Sequence, residues 1–112
     1  MSWVLNAIVT WDILEDTEQR LSEVNAPLER EHRQTFANDD AEWYGGPKRM
    51  EATFFGAAFN HVPPSDVVAA VANAQWELPG SVQLFLKDQE DERWTLYEFA
   101  PQFSQALRPP MP

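Results

Sequence analysis

The chain has 112 residues, 44% of them hydrophobic, with five Trp, seven Phe and no Cys, and its eighteen carboxylates against eight Lys and Arg give a formal charge of -10. That is enough apolar side chain for one self-supporting core, and the missing cysteines exclude a disulfide framework, a thiol nucleophile and Cys-based metal sites. The negative field repels phosphate backbones and anionic lipid, so neither direct nucleic-acid binding nor membrane-surface binding is expected.

The opening Met1-Ser2-Trp3-Val4-Leu5-Asn6 has no basic region before its apolar residues, and no run reaches the roughly 18 apolar residues of a bilayer span. A soluble, cytoplasmic protein is the expectation. Residues 1–44 carry ten acids and three bases, net -7; residues 45–112 carry eight and five, net -3. The first half is the more anionic.

Trp3, Leu5, Ala7, Val9 and Trp11 alternate with Val4, Asn6, Ile8 and Thr10, which predicts a central strand with one wholly apolar face. A helix follows, beginning near Asp12 to Asp16, with Leu14, Leu21, Val24 and Leu28 as its apolar stripe and acids in its first turn. Pro27 predicts a break or kink at Asn25–Pro27, with Asn25 capping the restart. A short strand near Thr35–Ala37 has little support of its own. Residues 38–49 read as a long loop: Asn38, Asp39, Asp40 and Glu42, then Trp43 and Tyr44, then a Gly45-Gly46-Pro47 breaker.

Met50 to Asn60 reads as a strand with Phe55, Ala57 and Phe59 on one face and Ala52, Phe54 and Ala58 on the other; Gly56 suggests a bulge or a closely packed helix. Pro63-Pro64-Ser65-Asp66 opens a second helix with Val67, Val68, Val71, Ala74 and Trp76 facing inward. Val82–Lys87 and Trp94–Phe99 predict a hairpin around the acidic tip Asp88-Gln89-Glu90-Asp91-Glu92. Residues 1–100 are expected to form one α+β domain and 101–112 a Pro-rich tail. The order of elements predicts a mainly antiparallel sheet with two helices on one face, ferredoxin-like or a variant of it.

The tests for chemistry mostly fail. Glu29-Arg30-Glu31-His32 holds a Glu-x-x-His step, but a di-iron site needs a second one, and His61 has Ala58 at that spacing. His32 is therefore expected to be a surface histidine. The acids Asp88, Glu90, Asp91 and Glu92 lack the spacing and glycine of a calcium loop and read as a solvated hairpin tip. Gly45-Gly46-Pro47-Lys48 lacks the context of a phosphate loop, and Ser65, Asp66 and His61 form no nucleophile elbow or triad order. An enzyme is not expected, and neither is a metal or cofactor. Trp3, Trp11, Phe54, Phe55, Phe59, Phe85 and Trp94 are expected in the core. Trp43 and Tyr44, beside carboxylates, either anchor an interface or lie in a loop folded back so that Trp43 plugs the core.

Two stretches, Gly45–Asn60 and Trp76–Tyr97, resemble a group of small uncharacterised bacterial proteins. In size, acidity and α+β pattern the chain is also similar in type to immunity proteins of bacterial toxin systems, which are acidic because they cap basic nuclease sites. This resemblance implies a protein-binding module of immunity or inhibitor type that neutralises a basic protein partner, and it carries over no residue. The candidate contact residues, taken from charge and aromatic placement, are Asp39, Asp40, Glu42, Trp43, Tyr44, Asp88, Glu90, Asp91 and Glu92. A DNA-mimicking inhibitor, a small ligand-binding domain or enzyme, and a homodimer built on sheet edges remain alternatives.

Overall fold

The computed structural model describes residues 3–38, 47–48 and 51–99. The first strand, β1 (Val4–Asp12), is followed by helix α1 (Thr17–His32), the short β2 (Ala37–Asn38), β3 (Ala52–Asn60), helix α2 (Pro64–Ala72), a 3-10 turn at Pro79–Ser81, and the hairpin strands β4 (Gln83–Asp88) and β5 (Thr95–Glu98). All neighbours in the five-stranded sheet are antiparallel, in the order β2-β3-β1-β4-β5. The first four strands and two helices follow the split β-α-β pattern consistent with a ferredoxin-like arrangement, with β5 added outside β4. The short strand expected near Thr35–Ala37 is β2, which shares Ala37 with it and ends one residue later.

This order explains why both helices share a face. The α1 crossover joins β1 to the parallel β2, and the α2 crossover joins β3 to the parallel β4. The two pairs run in opposite directions and step to opposite sides, so the right-handed rule puts both crossovers on the same side of the sheet. The burial agrees. Leu5, Ala7, Val9 and Trp11 of β1 are buried with Phe55 and Phe59 of β3, Leu84 and Leu86 of β4, Val24 and Leu28 of α1, and Val67, Ala70 and Val71 of α2. Trp11 stacks on Phe55 and leans on Trp76, with ring centroids 5.0 Å away in each case.

Three local expectations are corrected. The first helix does not break at Asn25–Pro27: α1 runs unbroken through Pro27, because Val24 and Leu28 lie one turn apart on the buried stripe that spans it. Asn25 is no cap. Its side chain accepts from the Phe36 N–H at 2.9 Å and donates to the Phe36 carbonyl at 3.1 Å, fixing the chain as it returns toward β2. Asp16 is the true N-cap, accepting from the Gln19 N–H, and Arg33 ends the helix in the left-handed region at φ 56°. Leu14, assigned to the helix stripe, precedes the helix and is exposed; Val24 and Leu28 are buried with Arg20, and Leu21 packs half-buried against the core. Gly56 marks neither a bulge nor a packed helix: it sits in unbroken register opposite Ile8, and a Cβ there would meet only the Ala7 carbonyl at an ordinary 3.7 Å.

Candidate functional site

Of the nine candidate contact residues, Asp39, Asp40, Glu42, Trp43 and Tyr44 lie outside the described residues, as does the tail from 101 onward. The other four lie at the β4–β5 turn, where they divide into two pairs. Asp88 is half-buried: it accepts a short hydrogen bond from the Trp3 indole N–H and another from the Glu90 N–H at 3.4 Å. Asp91 accepts from the Asp88 N–H at 3.2 Å. Gln89 ties the same turn to β1, its N–H donating to the Val4 carbonyl and its side-chain oxygen accepting from the Val4 N–H. Asp88 and Asp91 thus build the turn. Glu90 and Glu92 are exposed, and neither carboxylate has a partner among the described residues.

Beside these acids lies a surface that periodicity alone did not reveal. On the face of the sheet away from the helices, the register aligns Ala37, Gly56, Ile8, Phe85 and Leu96 in one apolar row across all five strands. The flanking rows are more polar: Phe54, Thr10, Gln83 and Glu98 on one side, Ala58, Asn6 and Lys87 on the other. Ile8, Phe54 and Phe85 are only half-buried, and Leu96, at the β5 end of the apolar row, is 45% exposed. Trp94 is 44% exposed. It is therefore not a core residue. It precedes the short β5 and lies two residues beyond Glu92. The signal that could have found it is its place at the start of the last strand, directly after a charged turn.

The acids of the first half behave differently. Arg20 occupies a core position of the α1 stripe with its side chain 8% exposed, and its Nε donates to Glu15 at 2.9 Å. Its Nη1 reaches Glu23 at 3.1 Å, and its Nη2 lies 3.7 Å from Glu77. Glu15, whose side chain is wholly buried, also accepts from the N–H groups of Glu77 and Leu78, and Glu23 accepts from the Gln75 N–H at 2.8 Å. The hydrogen bond to Glu15, with the charge of Glu23 and Glu15 around it, raises the Arg20 pKa against the opposing effect of desolvation. Burial pushes the Glu23 carboxyl up, but hydrogen bonds from Gln19, Gln75 and Arg20 and the Arg20 charge together outweigh it and hold the group below its ordinary value. Among the described residues no buried side-chain nitrogen or oxygen lacks a partner. This cluster pins the segment after α2 to α1. The sequence carries the signal for it, since Arg20, Val24 and Leu28 share one helical stripe.

The histidines separate as well. His32 is not a free surface group, nor does it pair with Glu29. From the last turn of α1 its Nε2 lies 2.8 Å from Asp66 Oδ2 in the first turn of α2, with its side chain 18% exposed. His61 ends β3 in the left-handed region at φ 58°, its Nδ1 2.8 Å from the Asn60 side chain and its ring edge-on to Trp3. Asp66 is thus engaged away from His61, and Ser65, Asp66 and His61 form no triad.

Among the described residues no helix is long and apolar enough to cross a membrane. No protein-family model, no curated protein and no solved structure matches this chain.

Proposed function

We propose that the chain is a protein-binding module of the immunity or inhibitor type, whose contact surface is the β4–β5 hairpin end together with the adjoining helix-free face of the sheet. The observation that carries this reading is the exposure of Trp94 and Leu96 near two carboxylates, Glu90 and Glu92, that have no partner among the described residues. A Trp in a desolvated contact is among the side chains most often found to dominate an interface. The partner suited to it has an apolar pocket for Trp94 and a basic rim, and the net charge of -10 would speed that encounter.

The experiment is capture of partners on the immobilised chain, followed by binding kinetics with each purified candidate. The expected partner is basic and binds less well as salt rises. Trp94→Ala weakens binding by about 2 kcal/mol, roughly thirtyfold in Kd, mainly through faster dissociation. The pair Glu90→Gln and Glu92→Gln slows association and flattens the salt dependence. A partner that is acidic, or that binds Trp94→Ala as tightly as the parent with the fold intact, sinks the proposal.

Self-association is a second reading, favoured by one observation. The apolar row is flanked on the same face by Lys87 toward one end of the strands and Glu98 toward the other. A two-fold axis lying in the plane between two such faces, midway between Lys87 and Glu98, would set each Lys87 against the other copy's Glu98, a reciprocal pairing of the isologous kind. Sedimentation equilibrium decides: a dimer that Lys87→Glu dissociates and Lys87→Glu with Glu98→Lys restores supports it, and a monomer at all concentrations removes it.

A further inference from the structure

We propose that Glu31, His32 and Asp66 form a binding site for a borderline divalent transition-metal ion, Zn²⁺ in the first instance, at the junction of α1 and α2. One ligand atom from each of the three lies within 4.8 Å of the others. They come from two separate elements, the last turn of α1 and the first turn of α2, so the tertiary fold assembles the group and not local sequence alone.

Distances make the case quantitative. A tetrahedral ion with bonds of about 2.0–2.1 Å needs its ligand atoms about 3.3 Å apart. His32 Nε2 is 2.8 Å from Asp66 Oδ2 and 4.0 Å from Glu31 Oε2. The first must open by about 0.5 Å and the second close by about 0.7 Å, while Glu31 and Asp66, whose oxygens lie within 4.8 Å of each other, must approach by as much as about 1.5 Å. All three changes fall on carboxylates with room to turn, Asp66 at 37% and Glu31 at 54% side-chain exposure. The imidazole is the best-buried member of the three and the natural anchor.

The donor set selects the ion. One imidazole nitrogen and two carboxylate oxygens suit Zn²⁺, Co²⁺ or Ni²⁺. A soft ion would want thiolate or thioether, and Ca²⁺ or Mg²⁺ would want oxygen alone. Arg30 and Arg33 flank the group on the same helical turn, yet neither is paired with Glu31 or Asp66. Three protein ligands leave a coordination position open to water or to a donor from another molecule. The site lies on the helix pair and is independent of the hairpin surface proposed above.

The alternative is that His32 and Asp66 are only an interhelical polar contact, and zinc titration of the full chain separates the two. Nitrogen-15 NMR of both imidazoles and thermal melting are the readouts. The expected result is saturable one-to-one binding below millimolar Zn²⁺, with the Nε2 resonance of His32 shifting, that of His61 unmoved, and Tm rising with zinc. His32→Gln abolishes the effect. Asp66→Asn and the exposed Glu31→Gln each weaken affinity by at least the roughly 10–100-fold typical of outer-shell partners. His61→Gln changes nothing. Zinc that leaves His32 unshifted up to millimolar concentration overturns the proposal, as does zinc binding that Glu31→Gln and Asp66→Asn leave intact. Because Glu31 is exposed, Glu31→Gln keeps the test valid even if His32→Gln disturbs the helix contact.

Discussion

The two faces of the sheet carry equally apolar rows with opposite fates. On the helix side, Phe55, Val9 and Leu84 lie side by side and none is more than 3% exposed. On the other side, Gly56, Ile8, Phe85 and Leu96 run across the same strands, and the row ends in a side chain 45% exposed. Alternation in sequence states which residues share a face. Whether a face is covered depends on where the crossovers go, which is a property of topology.

Truncation on the two faces tests that contrast with the largest effects. Trp11→Ala removes a fully buried ring packed on Phe55 and Trp76 and is expected to cost about 3–5 kcal/mol in urea unfolding. Phe85→Ala, on the half-covered face, should cost clearly less, about 1–2 kcal/mol by its smaller buried area. Equal losses would mean that the second face is as dry as the first.

The Arg20 cluster extends the comparison to charge. Arg20→Met leaves the buried Glu15 carboxylate without its cation and should lower Tm at neutral pH, where Glu18→Gln, on the exposed side of the first turn, should not. The acid limb tests the same cluster by sign. Glu23 is held below its ordinary value in the fold, so it binds a proton more readily when unfolded. Its stabilising contribution is complete above that ordinary value, 4.5, and is lost as pH falls through the lower folded one. Glu23→Gln should flatten the fall of Tm in that window. An unchanged acid limb would remove Glu23 from the account.

These contrasts bound what could be read without coordinates. The alternations of β1, β3 and β4 and the Pro-Pro entry to α2 were legible because each is a local pattern with a fixed period. Pro27 misled because the lost donor and ring clash are local penalties, whereas the buried stripe that carries α1 through them is a tertiary gain. Trp94 misled for a related reason, since an aromatic at strand spacing reads the same on an edge as in a centre. The pairing of His32 with Asp66 joins residues 34 apart in sequence, and no spacing rule reaches that far.

The hairpin tip yields a smaller pair of effects. Asp88→Ala removes the acceptor of the Trp3 indole and of the Glu90 N–H, for an expected loss of roughly 1–2 kcal/mol. Glu92→Ala should stay within about 0.5 kcal/mol of the parent. If both were neutral, the division of the tip acids into structural and free pairs would fail.

The smallest change in stability is expected at Trp94, and its smallness is the point. Nearly half the side chain already meets water, so Trp94→Ala forgoes little burial and should shift the unfolding free energy by no more than about 0.5–1 kcal/mol. Keeping a large exposed indole at the start of an edge strand gives the isolated fold little return and invites unwanted association. A residue that contributes little to folding but much to binding would be explained by its partner. Measured beside Trp11→Ala, the same truncation should therefore separate the two roles of tryptophan in this chain: one large in unfolding and silent in binding, the other the reverse. A Trp94→Ala loss as large as that of Trp11→Ala would assign the hairpin end to the core and leave the proposed contact surface without its anchor.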